Sequence, residues 1–177
     1  TLEFPTKILF VVDTSQSMNR TDPQGRRLLA VQEVVDAFVD DPGVSFGIIQ
    51  FSGQTSVLTS TTVLNDQGVP EPVDGFTRNR TDLENAIVRL GVAESTTDYE
   101  GALAQVLRVL SEDMLRTDEE DLTRSKYVVI FLSDGLPNPV DPPTNTRGSI
   151  LELVGEIAEL NEVFRPAELR LHTALVM

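Results

Sequence analysis

Residues 7–18 constrain the fold more than any other stretch of the chain. Residues 8–12 form an unbroken apolar run, rich in β-branched side chains, which is typical of a strand buried on both faces of a parallel sheet. The run changes abruptly into an Asp-x-Ser-x-Ser pattern made by Asp13, Ser15 and Ser17. Open α/β sheets hold their ligands at the carboxyl ends of their strands. We therefore predict a central strand that presents one carboxylate and two hydroxyls at that end.

Further runs predict the remaining strands. Residues 44–51 and 127–132 predict two more buried strands, and residues 169–177 predict a last strand. Residues 54–62 predict one short strand at the edge of the sheet. Residues 65–80 hold two glycines and two prolines and predict a surface loop.

Helix start signals lie between these strands. Asp22 followed by Pro23 predicts an N-cap and a first helical residue. Thr81 and Thr97 each begin a Thr-x-x-Glu pattern typical of a capping box, and Ser149 is predicted to cap the last helix. The alternation predicts an α/β fold, a doubly wound and mostly parallel sheet with helices on both faces and one antiparallel edge strand.

Composition narrows the functional classes. The 177 residues, 40% of them hydrophobic, are enough for one domain over residues 1–177, and we expect that domain to be cut short at its C-terminal sheet edge. The net charge of −14 repels phosphate backbones, so we expect no nucleic-acid partner. Without cysteine there are no disulfides, thiolate nucleophiles or zinc–cysteine sites. No apolar run approaches the roughly 20 residues that span a bilayer.

A second strand end carries a carboxylate. Asp134 follows the strand at residues 127–132 and lies between Ser133 and Gly135. Parallel strands end at one edge of the sheet, so we expect Asp134 to join Asp13 there. Oxygen donors without His or Cys suit a hard divalent cation, with Mg²⁺ as the first choice and Mn²⁺ or Ca²⁺ as alternatives.

A threonine from a third loop is expected to complete the donor set, and two candidates exist. Thr97 begins the longer helix, which leads directly into the strand at residues 127–132. Thr81 begins a short helix that we interpret as an insertion, with the threonine acting as a cap only. We favour Thr97 and keep Thr81 as the alternative.

Three segments together resemble the metal-ion-dependent adhesion site of a von Willebrand factor type A (VWA) domain. They are Asp13-x-Ser15-x-Ser17, residues 97–103 (Thr-Asp-Tyr-Glu-Gly-Ala-Leu) and residues 133–138 (Ser-Asp-Gly-Leu-Pro-Asn). The resemblance covers nearly the whole chain and implies a Rossmann-like sheet. It also implies a non-catalytic role in adhesion or protein binding, in which the open position of the metal accepts an Asp or Glu carboxylate from a partner protein. The metal ligands that it implies are Asp13, Ser15, Ser17, Thr97 and Asp134.

Two other functions remain as alternatives. An intracellular VWA scaffold would act with a separate ATPase, because this chain has no phosphate-binding loop of its own. A Mg²⁺-dependent phosphatase of the haloacid-dehalogenase type is disfavoured, since Ser15 stands where that chemistry needs an acid–base aspartate. We expect the domain to belong to a larger protein, and by analogy we favour an extracellular or cell-envelope location over the cytoplasm.

Overall fold

The computed structural model describes residues 4–91, 96–138 and 144–175. Its strands are β1 (Thr6–Asp13), β2 (Val44–Phe51), β3 (Thr55–Val57), β4 (Ser60–Leu64), β5 (Pro70–Asp74), β6 (Lys126–Ser133) and β7 (Glu168–Leu175). Its helices are α1 (Met18–Thr21), α2 (Arg26–Phe38), α3 (Arg80–Arg89), α4 (Tyr99–Arg116), α5 (Glu119–Leu122) and α6 (Arg147–Phe164). None of these helices is both long and apolar enough to cross a membrane.

The main sheet has the order β3-β2-β1-β6-β7. All neighbouring strands are parallel except β3, which pairs antiparallel with β2 at one edge. The predicted mostly parallel sheet with one antiparallel edge strand is therefore confirmed. Asp13 lies opposite Phe51, and Val12 lies opposite Leu132. The register thus places the ends of β1, β2 and β6 at the same edge.

The buried run in β1 alternates between two apolar clusters. Leu9 and Val11 pack with residues of α4 and α6 on one face of the sheet. Phe10 and Val12 pack with residues of α2 and α3 on the other face. Helices cover both faces, which is why this strand is apolar at every position rather than at every second one.

The region between β2 and α3 differs from the prediction. The single strand expected over residues 54–62 is two strands, β3 in the main sheet and β4 in a separate sheet. The loop expected over residues 65–80 contains β5, which pairs antiparallel with β4 from Ser60–Asp74 to Leu64–Pro70. Proline is tolerated at a strand edge that faces no neighbouring strand, because its missing N–H then costs no hydrogen bond of the sheet. The two prolines of β5 favour a loop by propensity, which is why the sequence did not predict this hairpin.

The predicted start of α2 was wrong. Residues 18–21 form the short helix α1, and α2 begins only at Arg26, after Gly25 in the left-handed conformation at φ 64°. Asp22 therefore lies before this turn and is not the N-cap of a helix that begins at Pro23. Its carboxylate nevertheless accepts the backbone N–H groups of Arg26 and Arg27, because an aspartate oxygen can satisfy first-turn amides from outside the helix.

The other three caps were also predicted at the wrong residues. Asn79 caps α3, Asp98 caps α4, and Thr146 caps α6 with Ser149 at the third helical position of a capping box. Asn and Asp are at least as good N-caps as Thr, so Asn79, two residues before Thr81, and Asp98, directly after Thr97, can take the role. The helix α3, interpreted from the sequence as an insertion, supplies Leu83, Ala86 and Ile87 to the apolar cluster that α2 also lines.

A polar cluster ties α4 to the amino ends of β1 and β6. The ammonium of Lys7 lies 2.5 Å from Asp113 Oδ2, and the hydroxyl of Tyr127 donates to the same oxygen at 2.7 Å. Tyr127 is fully buried and Asp113 is nearly so. Burial, together with the Asp113 carboxylate, raises the pKa of Tyr127 far above its ordinary value.

We expect this cluster to make the protein sensitive to alkali. Above a pH of about 10 the unfolded chain releases the Tyr127 proton while the folded chain retains it, so the unfolded state binds fewer protons and stability falls as pH rises. The slope from this one group is at most about 1.4 kcal/mol per pH unit. Urea unfolding from pH 8 to 11 should show a shallower decline for Tyr127→Phe than for wild type; equal slopes would contradict the prediction.

Candidate metal centre

A cavity of about 610 Å³ opens at the carboxyl edge of the sheet. The loop after β1, the helix α1, the turn before α4 and the loop after β6 meet around it. Its lining includes Ser17, Arg20, Thr21, Thr97, Asp134 and Asn138. The sequence brings these loops together because β1 and β6 are adjacent parallel strands whose ends coincide.

Asp13 is the last residue of β1 and is fully buried. Its Oδ1 accepts the backbone N–H of Ser15 at 2.8 Å. Its Oδ2 accepts the hydroxyl proton of Ser133 at 2.6 Å. Each carboxylate oxygen has two lone pairs, so one further acceptor direction on each oxygen is available to a cation or to water.

A chain of hydroxyls connects the loop after β1 with the loop after β6. The Oγ atoms of Ser15 and Ser17 are 2.9 Å apart, and Ser17 donates to Asp134 Oδ1 at 3.0 Å. The hydroxyl of Thr21 donates to the other oxygen of Asp134. Because Ser17 gives its only proton to Asp134, Ser15 is the donor between the serines. Ser15, Ser17 and Asp134, three of the predicted ligands, are thus in direct contact. A fourth, Asp13, accepts a hydrogen bond from the backbone N–H of Ser15.

The charge at this edge is uncompensated. Among the residues that the structure describes, no Lys, Arg or His nitrogen lies within 4.0 Å of Asp13 or Asp134. Burial raises the pKa of Tyr99, and the charges of Asp13 and Asp134 raise it further. A buried carboxylate without a cationic partner is costly, so this arrangement favours a bound cation.

The donor set fits a hard divalent cation. It comprises two carboxylates and three hydroxyls, and the described parts of the chain contain no group of three or more His, Cys, Asp or Glu side chains placed for a metal. A cation here must therefore rely on hydroxyls and retained water as well as on carboxylates. Mg²⁺ commonly binds through one or two carboxylates with several waters. The assignment of Asp13, Ser15, Ser17, Thr97 and Asp134 as ligands remains a prediction.

The two candidate threonines lie at opposite ends of the sheet. Thr97 is buried, lines the cavity and exchanges both backbone hydrogen bonds with Asn138, at 2.7 and 2.9 Å. Thr81 is exposed on the first turn of α3, shortly after Thr77, whose backbone pairs with Phe46. Phe46 lies five residues before the carboxyl end of β2, which is roughly 17 Å along a strand. The geometry therefore brings Thr97 to the other predicted ligands and leaves Thr81 away from them.

Replacing each threonine by alanine tests this assignment. We expect Thr97→Ala to weaken Mg²⁺ binding by about 10-fold or more, the scale on which changes close to a metal act. Thr81→Ala, a matched loss of one hydroxyl on another helix start, should leave Mg²⁺ affinity unchanged. Isothermal titration calorimetry of both variants measures the difference; the reverse order of effects would make Thr81 the ligand.

Several residues at the site were not identified from the sequence. Ser133 directly precedes Asp134, and Tyr99 follows Thr97 by two residues, so their positions beside the motifs were a usable signal. Thr21 had no such signal. It reaches Asp134 only because α1 turns the chain back over the end of β6.

Comparison with known families identifies the chain. Residues 8–137 match the family model described as von Willebrand factor type A domain. The chain belongs to this family. VWA domains are commonly modules for adhesion and protein interaction, which agrees with the coarser part of the functional expectation.

A curated relative and two solved structures show the same relationship. A UPF0353 protein of Mycolicibacterium gilvum is 30% identical over 146 residues, which cover 80% of this chain and 38% of the relative. Proximal thread matrix protein 1 from the mussel byssus, solved with a zinc-occupied MIDAS motif, aligns with a TM-score of 0.58 at 19% identity over 95% of this chain and 35% of its own. The type V pili tip protein Mfa5 from Porphyromonas gingivalis aligns with a TM-score of 0.52 at 18% identity, over 80% and 44%. The two structures show that the fold is shared, and this VWA chain spans less than half the length of the relative and of each of the two solved chains.

Proposed function

We propose that this VWA domain is a non-catalytic, metal-dependent module for adhesion or protein binding. A bound divalent cation would supply one open coordination position to an acidic side chain of a partner protein. The residues that would hold the cation are Asp13, Ser15, Ser17, Thr97 and Asp134. One observation carries the proposal. Beside an open cavity, Ser15 and Ser17 connect two acidic side chains, Asp13 and Asp134, that have no basic partner among the described residues.

The rim of the cavity favours an acidic ligand at short range. Arg20 lines the cavity, is exposed, and forms no ion pair with any residue in the described ranges. The chain as a whole carries a net charge of −14 and repels an anionic partner at long range. A carboxylate that reaches the cavity would meet the cation and the Arg20 guanidinium together. Leu136, which is 85% exposed beside the cavity, offers an apolar contact to the same partner.

Titration with Mg²⁺ alone is the first test of this function. Calorimetry should detect saturable binding at one site, with Mn²⁺, Ca²⁺ and Zn²⁺ as comparisons. Zinc is included because the mussel structure holds it at its MIDAS motif. Absence of any divalent-cation binding to the folded wild-type domain would overturn the proposal.

The second test asks whether the ion recruits a carboxylate. An immobilised peptide bearing one glutamate should bind the Mg²⁺-loaded domain, whereas its Glu→Gln counterpart should not, and excess EDTA should release the bound domain. Arg20→Gln should weaken peptide binding several-fold while Mg²⁺ affinity changes little, because Arg20 would contact the ligand rather than the ion. Equal binding of both peptides would contradict a carboxylate-directed site.

The cellular location is part of the proposal. We propose an extracellular or cell-envelope location, by analogy with the pilus-tip and byssus proteins that share the fold. Protease treatment of intact cells that express the full-length protein should remove the domain; complete protection in intact cells, followed by digestion after lysis, would instead favour the cytoplasm.

A further inference from the structure

We propose that Tyr99 is a positioning residue of the metal centre, whose single hydroxyl fixes the loops that carry Asp13 and Asp134. This inference rests on the proposed metal-dependent function and adds a residue that is not one of its ligands. Tyr99 is the first residue of α4, and it acts through Ser133 and the backbone of Gly135.

The contacts run from Tyr99 to both carboxylate loops. The Tyr99 hydroxyl lies 2.6 Å from Ser133 Oγ, and Ser133 donates to Asp13 Oδ2 at 2.6 Å. The same Tyr99 hydroxyl also donates to the carbonyl oxygen of Gly135, the residue after Asp134. One phenol group therefore contacts the hydrogen-bond partner of Asp13 and the turn that orients Asp134.

Counting hydrogens defines the direction of this network. The hydroxyls of Tyr99 and Ser133 supply two hydrogens for three short contacts. Ser133 gives its hydrogen to Asp13, because an ionised carboxylate is the strongest acceptor within reach. The Tyr99 hydrogen is then shared between Ser133 Oγ and the Gly135 carbonyl. The Ser133 hydrogen is thus directed at Asp13, and the Tyr99 hydroxyl contacts the oxygen of Ser133 that donates it.

The aromatic core holds the Tyr99 ring in place. Its ring packs edge-on against Phe51, with centroids 5.7 Å apart, and against Phe131, with centroids 5.2 Å apart. Phe51 ends β2, and Phe131 lies near the end of β6. The hydroxyl position is therefore set by the packed ends of two strands rather than by a mobile loop. Residues that orient metal ligands in this way commonly change metal affinity by 10- to 100-fold when they are removed.

Tyr99→Phe tests the inference, and Tyr127→Phe provides a matched control. Both substitutions remove one hydroxyl and keep the ring. The Tyr127 hydroxyl donates to Asp113, at the opposite end of β6. We expect Tyr99→Phe to lower Mg²⁺ affinity at least 10-fold in calorimetry. Tyr127→Phe should leave that affinity unchanged, although it lowers the melting temperature of the metal-free protein. A loss of stability alone would move both variants in the same way.

A double-mutant cycle with Ser133 checks the route. Ser133→Ala should weaken Mg²⁺ binding as Tyr99→Phe does, Ser133→Thr should restore it, and the double variant Tyr99→Phe/Ser133→Ala should be no weaker than the worse single variant. If Tyr99→Phe does not fold, Ser133→Ala against Ser133→Thr carries the test.

The outcomes separate this inference from the proposed function. Wild-type Mg²⁺ affinity retained in Tyr99→Phe would overturn the role of Tyr99, whatever Ser133→Ala shows, and would leave the metal-binding function intact. A wild-type domain that binds no divalent cation would overturn both. Additive losses in the double variant would also contradict the proposed route, because they would show that Tyr99 and Ser133 act separately.

Discussion

Asp13→Asn should abolish Mg²⁺ binding while the domain remains folded. Asparagine keeps the shape of the side chain and one acceptor oxygen for the Ser15 amide, but it removes the negative charge. Asp13 is fully buried at the end of the central strand, so no neighbouring carboxylate can move into its place. We expect a loss of at least about 100-fold in Mg²⁺ affinity, beyond the effect of residues that only support a ligand.

The metal-free stability of Asp13→Asn provides a second readout. Wild-type Asp13 is a buried carboxylate without a cationic partner in the described part of the chain, and removing such a charge relieves a desolvation cost. Metal-free Asp13→Asn should therefore melt at or above the temperature of the metal-free wild type. Added Mg²⁺ should raise the melting temperature of the wild type but not that of Asp13→Asn. Asp66→Asn, at an exposed position in the turn between β4 and β5, serves as the control and should behave as wild type. A Mg²⁺-dependent rise in Asp13→Asn would show that Asp13 is not required.

Asp22→Ala should be the most destabilising single change outside the apolar core. The Asp22 side chain is fully buried and lies 2.9 Å from the guanidinium of Arg27, itself 7% exposed. It also accepts the N–H groups of Arg26 at 2.7 Å and Arg27 at 3.1 Å. Removing one partner of a buried ion pair costs about 3–5 kcal/mol, because the remaining charge stays buried. For a domain of this size that corresponds to a fall in melting temperature of roughly 6–20 °C.

The contrast with an exposed ion pair makes this prediction specific. Asp36 pairs with Arg80 at 3.2 Å, with about half of each side chain exposed, and such pairs contribute about 0–1 kcal/mol. Asp36→Ala should therefore change the free energy of unfolding in urea by less than about 1 kcal/mol. Equal effects of Asp22→Ala and Asp36→Ala on the free energy of unfolding would contradict the prediction that the buried Asp22–Arg27 ion pair is the more important of the two.

Protonation of the Asp22 carboxylate should contribute to the loss of stability at low pH. Burial alone would raise the pKa of Asp22, but the amides of Arg27 and Arg26 and the Arg27 guanidinium outweigh it, and the pKa of Asp22 lies below its ordinary value. A lowered folded-state pKa contributes stability above the unfolded-state value near about 4, and this contribution is lost as pH falls toward the folded-state value. Asp22→Ala should lack that part of the acid dependence.

The sequence determined the layers of the sheet and the chemistry at its edge. An apolar residue at every position of 8–12 requires burial on both faces, which only helices on both sides of a parallel sheet provide. A strand that ends in Asp-x-Ser-x-Ser, and a second that ends in Asp134, place oxygen donors at one edge because parallel neighbours end together. These are local patterns with a fixed geometric meaning, so they could be recognised without coordinates.

Local signals were weaker where two residues compete for one role. Asn79 and Asp98 lie beside threonines that also match a capping pattern, and the energies of the alternative caps differ by only a few tenths of a kcal/mol. The β4–β5 hairpin was hidden for a similar reason, since its prolines favour a loop by propensity while an unshared strand edge accepts them.

Tertiary structure alone decided which distant residues complete the site. Thr97 and Thr81 carry the same local pattern. Only the tertiary structure places Thr97 in the cavity at the carboxyl edge and Thr81 shortly after Thr77, which pairs with Phe46 toward the other end of β2. The contacts of Thr21 with Asp134, and of Tyr99 with Ser133 and Gly135, join residues that are 34 to 113 positions apart. Such pairs have no periodicity along the chain. They exist because the packed core fixes strand ends and helix starts in space, and a hydrogen bond requires that fixed distance rather than any spacing in sequence.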